Sequence, residues 1–469
     1  MKLYDTLTRQ TKELQPLDGT TVKIYTCGLT VYSQPHIGNW LGYVYWDVLV
    51  RTLRATGYHV ERTQNITDVG HLTSDDDSGE DKMEKGAKRE GITAWDVAAK
   101  YIDIADHEGF ELLGLVHPDH LVRATDYIEQ QIAFAKILED KGYTYVIPDD
   151  GLYFDTSKLN DYGKLAQLDI AGLQAGARVP VAGKKNITDF AIWKFSHEGS
   201  KRDMEWDSPW GVGFPGWHLE CSVIAHETLG DQIDIHTGGI DHIPVHHTNE
   251  IAQTEAVTGK PFGQFWVHNN HLKADGQKMS KSIGNIYTLQ DILDKGHPAE
   301  AFRVFVLGKH YRTEGNFTWD NLEAAANRLQ GWREITVLRY QKSDVGEHPL
   351  TEQYFQRHVE LIKNSLSNDL DTVSALNELN VVMNDFNISK RDELTVQGFG
   401  AFLHVVDDLL GLSLEAVKDT TPEQKQLVGE REQAREQNDW AKSDELRDKL
   451  AVQGVGVRDT PHGAIWYWI

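Results

Sequence analysis

TVKIYTCG (residues 21–28), TVYSQPHIGNW (30–40) and HVERTQNIT (59–67) decide the fold. The first and last read as strands. Between them Ile37, Leu41, Val44, Tyr45, Val48 and Leu49 recur at helical spacing until Gly57 ends the segment. Strand, glycine turn, helix and strand make a βαβ unit, the building block of α/β folds with a parallel sheet. Ligands of such sheets bind beyond the carboxyl ends of the strands, which is where Cys27 and His36 fall. Function is therefore expected early in the chain.

Working outward, GHLTSDDDSGEDKMEKGAKREGI (70–92) is rich in charge and predicts a surface loop followed by a solvated helix. From about 120 to 195 the pattern changes to a helix, TDYIEQQIAFAKILEDKG, and then to short strands such as YTYVI and GLYFDTS with Asp-Asp-Gly and Asn-Asp-Tyr-Gly turns, as in an inserted domain. A second α/β stretch follows: DQIDIHTGG reads as a strand into a Gly-Gly turn, and HHTNEIAQTEAVTG as a helix stopped by glycine. After residue 290 the chain turns helical to near its end. Its last run, PEQKQLVGEREQAREQNDWAKSDELRDKLAVQG, sets Glu432 against Glu436 and Asp444 against Asp448 at i,i+4 spacing, so it needs tertiary contacts. No internal repeat or low-complexity tract interrupts this order.

At about 150 residues per domain, 469 residues predict roughly three domains. With 71 acidic and 47 basic residues the formal charge is −24, which argues against a protein that coats nucleic acid through a basic surface. Two cysteines, Cys27 and Cys221, are too few for a disulfide framework and suit a reducing compartment, the cytosol. The N-terminus lacks an apolar targeting core, and no apolar run approaches the ~18 residues of a membrane span, so a soluble protein without a membrane partner is expected.

Two motifs carry chemistry. In HIGN (36–39) a glycine allows close approach of a ligand to a helix start, where unpaired N–H groups and the dipole favour phosphate. In KMSKS (278–282) two lysines follow the Asp275-Gly276 turn and can place mobile cations beside a polyphosphate. Each alone also fits a core histidine or a solvated lysine loop. Together, in this order, they resemble the signature pair of the class I aminoacyl-tRNA synthetases.

Histidine and cysteine placement is the second signal. His218, His226, His236, His242, His246 and His247 crowd around Cys221, and His246 with Glu250 has the i,i+4 spacing that puts two ligands on one helical face. Two cysteines so far apart are more often small buried hydrophobes, and the residues alone leave metal binding open beside packing.

TCGLTVYSQPHIGN, WDSPWG, PGWHLECS, HTGGID, HHTNEIAQ, KMSKSIGN and the tail RDTPHG closely resemble the cysteinyl-tRNA synthetases, across almost the whole chain. The resemblance implies a Rossmann-like catalytic domain in two halves, 1–118 and 201–290, with a connective domain (119–200) inserted between them. A stem-contact region (291–345), a helical bundle (346–415) and an anticodon-binding region (416–469) follow. It implies one Zn2+ per chain on Cys27, Cys221, His246 and Glu250, and a cysteine substrate seated by Thr67 and Trp217. ATP with Mg2+ would be bound by His36, Gly38, Asn39, Lys278 and Lys281, of which His36, Asn39 and the two lysines act in catalysis. L-cysteine, ATP and the cysteine tRNA are the implied substrates, and a cytoplasmic monomer the expected form. Cysteine and serine differ by sulfur for oxygen, which ordinary pockets separate poorly. A zinc that takes the substrate as a thiolate supplies the ~10⁴-fold discrimination that translation needs.

This sequence departs from the family pattern in three places. NITDVGHLTSDDDSGEDKM stands where NITDIDDKI is usual, Phe214 replaces the arginine of GRPGWH, and Val245 and Thr248 alter FPHHENE. Two other readings compete: a paralogue that ligates activated cysteine to a small amine, which would lack the helical C-terminal region, and a zinc hydrolase or zinc-binding scaffold, which would need neither HIGN nor KMSKS.

Overall fold

The computed structural model describes residues 1–70, 81–168, 183–196, 202–280, 283–341, 349–389, 395–460 and 463–469. Lys281 and most of the loop after Thr67 lie outside them, as do Pro461 and His462 of the RDTPHG tail. The chain divides into two compact units. The first holds Met1–Asp291, Tyr311–Phe317 and Ser367–Leu370, and the second Ile292–His310, Thr318–Leu366 and Asp371–Ile469.

A parallel sheet centres the first unit. Its strands among the described residues, numbered in chain order, are β1 (Thr21–Thr26), β2 (His59–Ile66), β3 (His120–Arg123), β4 (Ile233–Gly239) and β5 (Gly263–Asn269). They lie side by side in the order β5-β4-β1-β2-β3, every neighbouring pair parallel. The chain winds outward from β1 to β3 and then returns to β4, so the direction of winding reverses between β1 and β4. In such sheets the crevice beyond the strand ends at that reversal receives the ligand, and Cys27 is the first residue past β1.

Three helices shape the crevice: α1 (Ile37–Ala55), α2 (Trp217–Leu229) and α3 (His246–Thr258). Helix α1 buries all six apolar positions picked out by periodicity and ends before Gly57, which takes φ 92°. Helix α3 stops at Gly259, whose left-handed φ of 70° closes the last turn as the sequence predicts.

The insertion after β3 forms an antiparallel sheet of Thr144–Ile147, Gly151–Phe154, Phe190–Phe195 and Gly213–Pro215. Gly216 links its last strand to α2. A Cβ there would lie 2.0 Å from the Ala191 carbonyl oxygen, so only glycine lets the chain pass and start the helix that carries Cys221.

One expectation needs correction here. The charged helix Lys82–Glu90 is solvated on one side only, because Met83 and Ala87, an i,i+4 pair, are buried against Ala94, Val97 and Ala98 of the next helix.

The second unit is helical and closes with an antiparallel hairpin, Val455–Thr460 with Gly463–Trp468. The run 422–454, read from sequence as one helical stretch, is two packed helices, Pro422–Glu436 and Trp440–Val452. Asn438 breaks it with a φ of 60°, and the Asp439 carboxylate then caps the second helix by accepting from the Lys442 N–H at 3.1 Å. The tertiary contacts this acidic stretch needs come from the hairpin. Arg431 grips Asp459 with two hydrogen bonds of 2.8 and 3.0 Å, and Glu432 accepts from the Ala464 N–H at 3.0 Å. Among the described residues no helix is long and apolar enough to cross a membrane.

Replacing Asp439 by Ala removes the cap and is expected to lower the stability of the second unit by about 1 kcal/mol. Urea unfolding followed by tryptophan fluorescence measures this, and an unchanged midpoint would show that the cap contributes nothing.

Candidate functional site

Sequence spacing and sheet order together bring the chemistry into the crevice. Cys27 leaves β1, Cys221 sits in the second turn of α2, and His246 and Glu250 lie one turn apart at the start of α3. Their ligand atoms all fall within 4.8 Å of one another. Cys27 Sγ is 3.9 Å from Cys221 Sγ and 3.9 Å from Glu250 Oε1, and His246 Nε2 is 3.1 Å from the same carboxylate oxygen. All four side chains are buried, with exposures of 8, 1, 2 and 0% for Cys27, Cys221, His246 and Glu250. Two sulfurs, one imidazole and one carboxylate are a donor set that suits Zn2+, and their separations fit a single ion among them.

Burial sets the protonation of these groups. Burial raises the Cys27 thiol well above its ordinary range, and the neighbouring Cys221 raises it further. Burial also raises Cys221. Both thiols are therefore neutral in the metal-free protein, and a bound cation would have to displace their protons. Burial, with the charge of surrounding imidazoles, holds His247 and His268 well below the usual histidine range, so both rings are neutral.

Two glycines make room. A Cβ on Gly28 would sit 1.5 Å from the Asn65 carbonyl oxygen, and one on Gly238 would sit 2.6 Å from the His247 ring. Asn65, at the end of β2, organises this corner by accepting from the Gly28 N–H at 2.7 Å and donating to Thr67 Oγ1 at 3.0 Å. Its Oδ1 is also 3.8 Å from Cys221 Sγ. Thr67 is thereby tied to the cysteine pair. Trp217, half-buried, stacks on the His246 ring at 4.3 Å, with the Lys82 ammonium 5.3 Å from the indole. Phe214 carries the Arg202 guanidinium over its ring at 3.7 Å, and Thr248 is buried with its hydroxyl donating to the Ile243 carbonyl at 2.7 Å.

HIGN and KMSKS also meet. His36 caps α1: its Nδ1 accepts from the Asn39 N–H at 3.2 Å, while Asn39 Oδ1 accepts from the His36 N–H at 3.0 Å. With Nδ1 an acceptor, the ring proton sits on Nε2, and the donor atoms of the two side chains are His36 Nε2 and Asn39 Nδ2. The Met279 methyl lies over the helix start, 2.4 Å from where a Cβ on Gly38 would sit, so the second motif touches the first. The Asp275-Gly276 turn, with φ of 52° and 75°, pairs Gln277–Lys278 with Leu272–Ala274 and leaves Lys278 exposed. Asn285 stitches the loop, accepting from the Ser280 N–H at 2.8 Å and donating to the Lys278 carbonyl at 3.2 Å. Helix α1 joins the two halves of the site, since the Tyr43 hydroxyl donates to the Cys27 carbonyl at 2.9 Å.

Sequence reasoning missed Asn65, Asn285, Tyr43 and His268. The "N" of NIT and of SIGN was quoted within motifs, but nothing local to either asparagine shows what it bonds.

A family profile described as "tRNA synthetases class I (C) catalytic domain" matches residues 13–327, and one described as "Cysteinyl-tRNA ligase anticodon binding domain" matches residues 417–467. The chain is 44% identical over 468 residues to "Cysteine--tRNA ligase 1" of Burkholderia lata, covering 99% of this chain and 96% of that one. It is 41% identical to "Cysteine--tRNA ligase" of Novosphingobium aromaticivorans, covering 100% and 97%. Among solved structures it is similar in fold to Mycobacterium tuberculosis methionyl-tRNA synthetase in complex with methionyl-adenylate, with a TM-score of 0.62 at 16% identity over 86% of this chain and 95% of that one. The Agrobacterium radiobacter K84 agnB2 LeuRS-tRNA-LeuAMS ternary complex gives a TM-score of 0.61 at 11% identity over 86% of each chain.

Because both thiols are neutral without metal, adding Zn2+ to metal-free protein near neutral pH is expected to release about two protons per ion, and zinc affinity should rise with pH. Indicator-dye titration in weak buffer reads the release. Stoichiometric binding without proton release would rule the cysteines out as ligands.

Proposed function

The chain belongs to the cysteine–tRNA ligase family of class I aminoacyl-tRNA synthetases, and from that membership we propose that Cys27, Cys221, His246 and Glu250 hold one Zn2+ that selects the thiol of L-cysteine. The observation that carries this is the meeting of two thiols, an imidazole and a carboxylate, drawn from β1, α2 and α3, in one buried group. Bound zinc would supply a soft acceptor for a substrate thiolate, which the hydroxyl of serine cannot match at neutral pH.

The chain's own residues do the rest. Trp217, stacked on His246, forms a wall against which the amino acid lies, and Thr67 faces it from the end of β2. The substrate carboxylate attacks the α-phosphorus of ATP while the bond to pyrophosphate breaks, so catalysis is positioning and charge stabilisation. His36 Nε2 and Asn39 Nδ2, set by their mutual cap, donate to the phosphates. Gly38 keeps the helix start open, and Lys278 and Lys281 hold the departing pyrophosphate, with Mg2+ accompanying ATP. The 3′ adenosine hydroxyl of the cysteine tRNA then attacks the adenylate carbonyl and AMP leaves.

A small-amine acceptor is the second reading. The match of residues 417–467 to an anticodon-binding domain favours tRNA.

Exchange of pyrophosphate into ATP should require cysteine and be absent with serine, and the tRNA-charging assay separates the two acceptors. Cys221→Ser is expected to lose zinc and cysteine affinity together, and its retention of both would refute the ligand assignment. Lys281→Ala should slow adenylate formation by about 10²-fold or more with zinc content intact, and an unchanged rate would remove that lysine from the mechanism.

A further inference from the structure

Behind the four proposed ligands stand two more buried imidazoles, each within hydrogen-bond reach of one of them. His236, on β4, has its Nε2 2.9 Å from Glu250 Oε2. A carboxylate that ligates a metal only accepts, so with Glu250 in that role the proton of this contact belongs to His236 Nε2. The ring lies flat on Trp266, with centroids 4.5 Å apart and planes at 16°, and its Nδ1 has no hydrogen-bond partner. Were Nε2 to bind a metal instead, the proton would move to Nδ1, where a buried N–H would find no acceptor.

His247 Nε2 lies 3.4 Å from Cys27 Sγ, its Nδ1 2.8 Å from His268 Nε2, and His268 Nδ1 2.8 Å from Thr6 Oγ1. One direction of donation satisfies every group when Cys27 is a thiolate. The Thr6 hydroxyl donates to His268, His268 Nε2–H donates to His247 Nδ1, and His247 Nε2–H donates to the sulfur. The reverse direction requires a proton on Cys27, which a metal-bound thiolate does not have. Sheet register builds the chain, since His268 lies opposite Gly238 on the neighbouring strand.

We infer that His236 and His247 are positioning residues that donate Nε2–H hydrogen bonds to Glu250 and Cys27, the second aligned by the Thr6–His268 pair. The inference rests on the proposed zinc site. The competing arrangement is a second seat for the metal, because Cys27, His236, His247 and Glu250 also place one ligand atom each within 4.8 Å of the others. Partners that orient metal ligands in this way typically contribute about 10- to 100-fold to metal affinity.

The test uses the full-length protein, with zinc content by elemental analysis, zinc affinity by chelator competition and visible and near-ultraviolet spectra of the cobalt(II)-substituted form. His236→Leu and His247→Leu should each still take up one metal equivalent at saturation, with zinc affinity lowered about 10- to 100-fold. His247→Leu should move the thiolate-to-cobalt band to lower energy, as the sulfur loses its donor, and Thr6→Val should move it the same way by less. His236→Leu should leave that band in place, and His236→Gln, which restores an N–H, should recover part of the affinity. The double variant Cys221→Ala/His246→Ala should hold no metal. If it keeps one equivalent that disappears when His236 and His247 are also replaced, the imidazoles are ligands and the inference falls. Unchanged zinc affinity in both leucine variants overturns it as well. A wild-type protein that takes up no zinc would instead overturn the underlying metal-site reading.

Discussion

Six side chains able to hold a cation, Cys27, Cys221, His236, His246, His247 and Glu250, converge in the apolar layer where β1 and β4 end. Taking them out of water is the constraint on which the rest of the first unit depends. Each polar group buried without a partner costs free energy, and an unpaired carboxylate costs most. The fold answers with a hydrogen bond between His236 and Glu250, with the His246 ring nitrogen 3.1 Å from the other carboxylate oxygen, and with an asparagine beside the cysteines. It also clears the space: Gly28 and Gly238 admit Asn65 and His247 at distances no Cβ would allow. The burial that disfavours thiolate in the free protein means that a divalent cation entering the group must displace the thiol protons.

Much of the fold was legible because its signals are local. Helical periodicity in residues 37–49, a glycine after each of two helices and the Asp-Gly turn before KMSKS each express a backbone preference carried by a few adjacent residues. The candidate metal group was half legible. The i,i+4 pair His246 and Glu250 announces a shared helical face, but nothing in the residues alone distinguishes Cys27 and Cys221 from small core hydrophobes. Their pairing follows from strand order, which sets β1 beside β4, and from the packing of α2 against α3.

The supporting residues were not legible at all. His268 reaches His247, and Thr6 reaches His268, across 21 and 262 positions of sequence respectively. Such contacts arise where a helix and an N-terminal turn pack against β5, the Thr6 N–H bonding the Trp266 carbonyl, which leaves no periodic trace in either segment. The break at 437–439 was hidden for a different reason. Charged, helix-favouring residues flank it on both sides, and only the left-handed Asn438 and the capping Asp439 mark the corner.

The charge of −24 first argued against a nucleic-acid partner, and membership of a tRNA ligase family changes what it means. In the C-terminal region basic side chains are committed to acidic neighbours: Arg431 and Arg435 to Asp459, and Lys442 and Lys449 to Glu445. A phosphate backbone approaching these cations must compete with carboxylates already in place. The net field of the protein repels it at long range, although at physiological salt that field decays over about 8 Å. Long-range steering therefore contributes little, and a polyanion must be held by contacts made at short range. Contacts between cations and phosphates weaken as salt rises, so discrimination among polyanions rests on contacts made after docking rather than on the strength of encounter.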